Sequence, residues 1–598
     1  MSEEIFDDTQ NAQDAKAGGL SAILFFMPEI KLRQGAFVVA LLLLVASVGL
    51  GLWWPGLVQQ AIDGPIADRD SSGLIFFGLG IVVLQAGSLL STYLMRLQLE
   101  RVGQDVMVSL KRQLFDHLLI LDLGFFDTHP VGRLMARVES DSEALRLFIT
   151  NTVVVVLGDV LLLLGLYSYM IYTNWKAGLV QLAVFPVVMI LLVIYARITN
   201  PRYLIVRKKM AALTGAISEF ISGMSIVQIF HRGSYARERV RELNHSKFKD
   251  DAFIHIGSTL FFNVLSFTEV TKVALLLMFG QTFGMTTGEI VLFLVLTWRS
   301  FEPIHRASEQ LTSFQRGMAG AQRMRELIQT SPKVFDPIKP KQWPGLRSDI
   351  RFDGVSFSYF HDHRHALRHG SFTMPRGSRT ALVGMTGGGK STCISLLLRY
   401  YDPQEGRILV DGIDIRDLSR NELRSKIALV LQDIILFPGD IRYNIGLGNP
   451  LITPDKSESA AKTVAAHEFI MRLPKGYETE VSERGANFSR GERQLLSFAR
   501  ALAVDPEILI LDEATSSVDP ETERSIQKAM STLMKGRTSL VVAHRLSTIL
   551  DADQILVFRQ GEIIERGTHA ELIVQNGYYA RLFHLQYKHA ANEVSHAS

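Results

Sequence analysis

Gly384, Met385, Thr386, Gly387, Gly388, Gly389, Lys390 and Ser391 fit the pattern G-x-x-x-x-G-K-[ST], and Thr392 follows directly. Glycines let backbone N–H groups curl around phosphate oxygens. The ammonium can neutralise the terminal phosphates and the hydroxyl can ligate Mg²⁺. The context is the required one, with a strand-like Thr380–Val383 before the loop and an apolar helical run, Ile394–Leu398, after it. A second constellation is Ile508–Leu511, a wholly apolar run that delivers Asp512 and Glu513 at its end. The first carboxylate is placed to hold Mg²⁺ through water, the second to activate an attacking water.

Such residues need a sheet to position them. Short β-type runs alternate with helical patterns at Ile350–Phe357, Arg379–Val383, Arg407–Val410, Ile508–Leu511, Thr538–Val542 and Gln554–Phe558, which predicts an α/β domain over 347–585 with a largely parallel sheet. Ahead of it, Ser331–Leu346 carries four prolines and reads as a linker over 331–346.

The N-terminal half is of another kind. Hydrophobic residues make up 47% and charged residues 21% of the 598, yet the mean hydropathy is +0.17, so a very apolar part is joined to an ordinary soluble one. Apolar runs at about 37–57, 74–94, 150–172, 177–196, 253–283 and 289–310 predict six membrane helices, since ~20 apolar residues cross ~30 Å of hydrocarbon. The fifth contains Glu269 and Lys272, and the sixth is the weakest because Arg299 and Glu302 interrupt it. Leu20–Arg33 reads as an interfacial elbow helix, completing a transmembrane domain over 20–330. Residues 1–19 are polar and acidic without the pattern of a secretory leader and, like 586–598, read as a tail. Basic residues crowd the segments Tyr93–Arg146 and Arg197–Lys249 and almost vanish from the alternate loops. The positive-inside rule therefore puts both termini, both long loops and the α/β domain in the cytoplasm, with Trp53, Trp54 and Trp175 at the opposite interface. Apolar spacing at Val102, Val106, Leu110, Leu114 and Leu118 carries the helices well past the membrane, with short connecting helices expected near Phe125–Val138 and Glu219–Ser225.

Other classes are excluded. With 63 Lys+Arg against 60 Asp+Glu, a net charge of +3 points to no nucleic acid partner. One cysteine, Cys393, rules out a disulfide framework and a multi-Cys metal site. It reads as a buried small residue whose alkylation could block nucleotide binding.

Together and in this order, the motifs resemble those of the ABC exporter half-transporters. The resemblance covers about residues 30 to 585. It implies a multidomain membrane protein: a six-helix transmembrane domain with long cytoplasmic extensions fused to an α/β P-loop nucleotide-binding domain. It implies an ATPase using ATP and Mg²⁺, embedded in the bacterial inner membrane. Tyr359 matches the aromatic that stacks on adenine, and Gln432 the glutamine that senses Mg²⁺ and the attacking water. Asp519 lies in the loop that communicates between two sites, and His544 matches the histidine that contacts the γ-phosphate. Thr479–Gly485 is similar to the segment preceding the family signature, and Phe125–Leu134 and Glu219–Met224 to its two coupling helices. The family pairs two halves around two ATP molecules, each site taking the P-loop of one half and the signature of the other.

The signature is where the chain departs. Leu-Ser-Gly-Gly-Gln becomes Phe488, Ser489, Arg490, Gly491 and Glu492, keeping the serine and one glycine. A carboxylate near the triphosphate costs about 1–4 kcal/mol before Mg²⁺ and Arg490 screen it. Because the chain's own P-loop, Gln432, Glu513 and His544 are regular, a heterodimer with one impaired site is expected. Its second half-transporter would carry a regular signature and a substituted carboxylate. A homodimer tolerating the variant is the alternative. Val184–Tyr195 and Gly223–Gln228 look most like the B subunits of Mdl/Smd-type bacterial multidrug exporters.

Phe- and Met-rich fifth and sixth spans suit an adaptable cavity for amphipathic drugs or lipids. Asp159, a charge at membrane depth, either attracts cationic substrates there or pairs structurally. Glu269 and Lys272 are spaced to pair on one helix. His361, His363, His365 and His369 read as a solvated loop rather than a metal site. A homodimeric lipid flippase and a siderophore importer of the same fold remain the competing functions. A soluble nucleic-acid ATPase does not survive the six spans.

Overall fold

The computed structural model describes residues 21, 25–28, 31, 33–359, 365–512, 520–543 and 549–585. Both expected tails lie outside the described residues. Two compact units are formed, one from residues 1–119 and 131–330, the other from 120–130 and 331–598.

The first unit is built of long helices: Gln34–Ala61, Ser71–Ile120, a nearly continuous Val131–Thr173, Trp175–Ser222, Gly233–Phe279 and Thr287–Gln329. At ~1.5 Å per residue, the 50 residues of Ser71–Ile120 reach far beyond ~30 Å of hydrocarbon. Its most apolar stretch has no buried residue, so those side chains are made for lipid rather than for a protein core. Among the described residues, five helices are long and apolar enough to cross a membrane. The sixth apolar run lies on Thr287–Gln329, where Glu289, Arg299, Glu302 and Arg306 dilute the hydropathy. Helix ends are fixed by side chains. Asn174 accepts the Ala177 N–H, and Thr286 forms a capping box with Glu289. Leu166, Met170, Leu292, Phe293 and Leu296 make the dry centre.

Both expected connecting helices are displaced. The first is Leu123–Thr128, N-capped by Asp122, and it ends at His129 because Pro130 drives the preceding residue to extended backbone. Residues from Val131 onward already belong to the next long helix. The second is Met224–Ile229, since Glu219–Ser222 is the last turn of Trp175–Ser222 and the chain breaks at Gly223.

In the second unit the strands expected in one largely parallel sheet divide between two sheets, and Gly439–Asp440 with Glu480–Val481 makes a small third one. Six strands lie in the order Glu562–Gly567, Gln554–Arg559, Arg379–Gly384, Thr538–Val542, Ile508–Asp512 and Ile427–Val430. All pairings are parallel except the one that adds Glu562–Gly567. Asp349–Phe357 and Glu405–Val410 instead pair antiparallel in a separate four-stranded sheet with Leu367–Pro375 and Ile413–Asp414. Leu396, Leu397, Ile508, Ile510, Leu540, Leu556 and Phe558 are fully buried between the layers. The proline-rich 331–346 has neither helix nor strand, but it is anchored. Trp343 is 1% exposed and donates its indole N–H to Asp411 at 3.0 Å.

Candidate nucleotide site

Sheet register brings the two constellations together. Leu382 pairs with Val542, and Val542 with Asp512, so Asp512 ends its strand two ladders away from the start of the P-loop, with Thr538–Val542 between them. The loop then turns through left-handed backbone, with φ of 79° at Gly387 and 103° at Gly389. A Cβ on Gly389 would stand 2.5 Å from the Ala366 carbonyl oxygen, so only glycine fits both the dihedral and the space. Helix Lys390–Leu397 follows directly. Lys390 is buried and donates to the carbonyls of Gly384 at 2.7 Å and Met385 at 3.0 Å. Burial lowers its pKa, partly opposed by the negative charge of Asp512, which shows that the ammonium and this carboxylate feel each other.

Ser391 is exposed at the helix start and Thr392 is buried. Tyr359 donates its hydroxyl to Thr392 Oγ1 at 3.3 Å and is 41% exposed, leaving a ring surface open beside the P-loop helix. Its ring meets Tyr401 edge-on at 5.2 Å. Tyr401 carries no motif and was not foreseen. Its hydroxyl donates to Asp127, on the short helix Leu123–Thr128 that belongs to the same compact unit. Burial, and then Asp127, push the Tyr401 phenol well above its usual range, so it remains a neutral donor. Asp122 fastens the same short helix, accepting the Phe125 N–H at 3.1 Å and the Lys333 N–H.

Gln432, Asp512, Arg490 and Gln494 line one small cavity within the chain. Ser391, Gln432 and Asp512 offer hydroxyl, amide and carboxylate oxygens, the hard donors that Mg²⁺ takes; Gln432 and Asp512 share the cavity, and Ser391 is not in its lining. Among the described residues, no cluster of three or more His, Cys, Asp or Glu could hold another metal.

The variant signature has a different role for its carboxylate from the one expected. Ser489 is the N-cap of helix Arg490–Ala503; its Oγ accepts the Glu492 N–H at 3.2 Å, while Glu492 Oε2 accepts the Ser489 N–H at 2.8 Å. This is a complete capping box, and the negative charge sits where the helix N-terminus favours it. Glu492 is therefore engaged with the helix start and is not simply a loose charge set against phosphate. Gly491 is buried under the same turn.

The buried reading of Cys393 and the structural pairing of Asp159 both hold. Cys393 is fully buried and its thiol is pushed up to about 12, so it is shielded from alkylation. Asp159 accepts from Arg306 at 2.6 Å, and Arg306 also pairs with Glu302 at 3.5 Å, so this carboxylate is neutralised from within. Lys272 reaches Tyr167 Oη at 3.5 Å and Ser300 Oγ at 3.4 Å, while Glu269, three residues earlier on the same helix, acts on it through its charge. Glu513, Asp519, His544, His361 and His363 lie outside the described residues.

Comparison with known proteins agrees with this architecture. Residues 37–298 match the ABC transporter transmembrane region and 367–516 the ABC transporter model. The chain is 35% identical to an ATP-dependent lipid A-core flippase of Chromohalobacter salexigens, over 89% of this chain and 92% of that protein. It is 35% identical to a probable multidrug resistance ABC transporter ATP-binding/permease protein of Bacillus subtilis, over 83% of this chain and 73% of that one. Among solved structures, a bacterial Atm1-family ABC exporter with ATP bound superposes with a TM-score of 0.74 at 30% identity, covering 92% of this chain and 98% of that one.

Proposed function

This chain belongs to the ABC transporter family in its exporter form, and on that premise we propose that it is one half of a heterodimer moving hydrophobic or amphipathic compounds out across the bacterial inner membrane. It is an ATPase coupled to transmembrane transport, and such exporters act as dimers in a lipid bilayer. The observation that carries the reading is the union of a complete P-loop and Asp512 with five membrane-length helices in a single polypeptide.

In this reading Tyr359 stacks on adenine, the N–H groups of Gly387–Lys390 cradle the phosphates, and Lys390 leaves its carbonyl partners to meet the terminal phosphates. Glu513 takes a proton from the attacking water, and His544 steadies the γ-phosphate. Mg²⁺, held by Ser391, Asp512 and Gln432, would neutralise charge between the phosphates. Ser489 and Gly491 serve the nucleotide of the partner half, with Asp519 between the two sites. ATP contacts both halves only when they are closed. Flipping a membrane gate from 1:99 to 99:1 takes ~5.5 kcal/mol of such differential binding.

Arg490 in place of glycine supports the heterodimer. The homodimer gains from the capping box, because Glu492 keeps the signature helix properly started. ATPase assay of the chain purified alone separates them: robust turnover without a partner rejects the heterodimer. Glu513→Gln should bind ATP and lose nearly all turnover; near wild-type turnover would sink the proton-acceptor role.

A further inference from the structure

One carboxylate ties the first long helix to the last. Gln34–Ala61 runs on into a π-helical turn, Ile62–Ile66, which carries Asp63. Asp63 Oδ2 accepts the Thr286 hydroxyl at 2.6 Å, and Oδ1 accepts the Gly288 N–H at 2.8 Å. Both partners belong to the start of Thr287–Gln329, 223 and 225 residues further along the chain. The approach is close. A Cβ on Gly288 would stand 2.5 Å from Asp63 Oδ2 and 2.5 Å from the Gln59 carbonyl oxygen, so any side chain there would push the two helix ends apart. This is the remote end of Thr287–Gln329, since the chain enters the nucleotide-binding unit from the other end, at residue 331.

The last helix does not need Asp63 in order to begin. Thr286 and Glu289 already make a complete capping box: Thr286 Oγ1 accepts the Glu289 N–H at 3.1 Å, and Glu289 Oε2 accepts the Thr286 N–H at 3.0 Å. Asp63 adds a further anchor from a different helix, a negative charge set against the helix N-terminus. Asp63 and Thr286 are exposed, so water can replace either contact and the link is reversible. Deeper in the bundle, roughly 16–18 Å inward by the helical rise, Arg299 donates to the Gly51 carbonyl and holds the same two helices together independently of Asp63.

We infer that Asp63, with Thr286 and Gly288, is a clasp that keeps the outer ends of Gln34–Ala61 and Thr287–Gln329 shut, and that it must open for a compound to leave on the side remote from the nucleotide. Two charge-assisted bonds at an exposed carboxylate are strong enough to bias a two-state gate and weak enough for ATP-driven closure of the nucleotide-binding domains to break. The inference rests on the exporter reading above and adds the contact that ATP works against.

The test places the full transporter in lipid nanodiscs, with a cysteine-free partner half where turnover requires one, and uses Ala61→Cys as the reporter. Ala61 is 6% exposed at the end of the first helix, and the chain's own Cys393 is fully buried, so a water-soluble maleimide reads the introduced thiol. Without nucleotide, Asp63→Ala should raise the labelling rate about tenfold, and Asp63→Asn, which keeps one acceptor oxygen, about threefold. Thr286→Ser keeps the hydroxyl and should label within about twofold of the unsubstituted reporter. With ATP and Mg²⁺ the reporter with Asp63 intact should itself speed up, leaving the Asp63 variants less than about twofold ahead. Should the alanine variant fail to assemble, the asparagine variant decides alone. Rates unchanged by loss of the carboxylate, rates raised by the same factor with and without ATP, or an equal rise in Thr286→Ser overturn the clasp. A reporter that labels at one rate with and without ATP, Asp63 being intact, counts instead against the exporter reading, because no outer opening would then follow nucleotide binding.

Discussion

Replacing Glu492 by alanine removes one arm of the signature capping box while leaving Ser489 in place. The lost contact is a charge-assisted N–H···O bond of 2.8 Å at the first turn of Arg490–Ala503, a helix whose Leu496, Phe498 and Ala499 are buried against the sheet. Losing a cap costs ~0.5–2 kcal/mol. In a domain of this size each kcal/mol moves the melting temperature by about 2–4 °C, so Glu492→Ala should melt ~1–8 °C lower. Glu492→Gln keeps an acceptor oxygen and forfeits only the interaction of charge with the helix dipole, ~0.3–1 kcal/mol, so it should stay within ~4 °C of wild type. Thermal unfolding of the full chain in detergent, followed by intrinsic fluorescence, measures both. An alanine variant as stable as wild type, or a glutamine variant falling just as far, refutes the capping role. The carboxylate would then act chiefly as a charge opposite the partner's nucleotide.

Three further outcomes are expected. Tyr359→Ala should raise the KM for ATP ~5–100-fold with a smaller change in kcat, because base stacking on an aromatic ring is worth ~1–3 kcal/mol; an unchanged KM removes Tyr359 from the site. Burial draws the Asp411 carboxyl upward, yet the Trp343 indole and the backbone N–H groups of residues 347–349 outweigh it and hold its pKa below the ordinary value. Asp411 thus contributes stability above the unfolded carboxyl pKa that is lost as pH falls through the lower folded one. Asp411→Asn should cost ~1 kcal/mol at pH 7, at the low end because the site is partly exposed, and progressively less as the pH falls through the lowered folded pKa, as denaturation curves at neutral and acidic pH will show. Tyr401→Phe removes the donor to Asp127 and keeps the ring packing, so nucleotide affinity should hold while transport per ATP hydrolysed falls, measured in one proteoliposome preparation.

What could be read from the sequence was chemistry that demands one residue type at one step. The P-loop is such a case: left-handed backbone at Gly387 and Gly389, and a carbonyl 2.5 Å from where a Cβ would stand, leave no alternative to glycine. Apolar strands such as Ile508–Asp512 were equally plain. Leu367–Pro375 and Glu562–Gly567 were missed because their exposed faces carry charged residues that break the apolar run. Ser489 and Glu492 do form the S-x-x-E pattern of a capping box, a signal present in the sequence and passed over in favour of the charge. Arg306, the partner of Asp159, and the ring and hydroxyl neighbours of Lys272 lie on other helices far along the chain. No local periodicity announces them, since only helix packing brings them together.

The contacts around Tyr401 show how nucleotide and membrane helices can be linked without a long wire. Residues 120–130 leave the helical unit and join the compact unit that holds the P-loop. There, Asp127 accepts from Tyr401, Tyr401 packs edge-on against Tyr359, and Tyr359 bonds to Thr392 on the P-loop helix. A Cβ on Gly124 would lie 2.8 Å from the Tyr401 ring, so the short helix and this tyrosine fit without slack. A base stacking on Tyr359 must work against or with that packing. Close-packed contacts transmit such displacements because interiors tolerate little empty space. If Tyr359 stacks on the base as proposed, that ring stands one side chain away from the segment 120–130 that connects two long helices. On the proposed reading, ATP occupancy would bias those helices before any bond is broken, and hydrolysis would then serve to reset them.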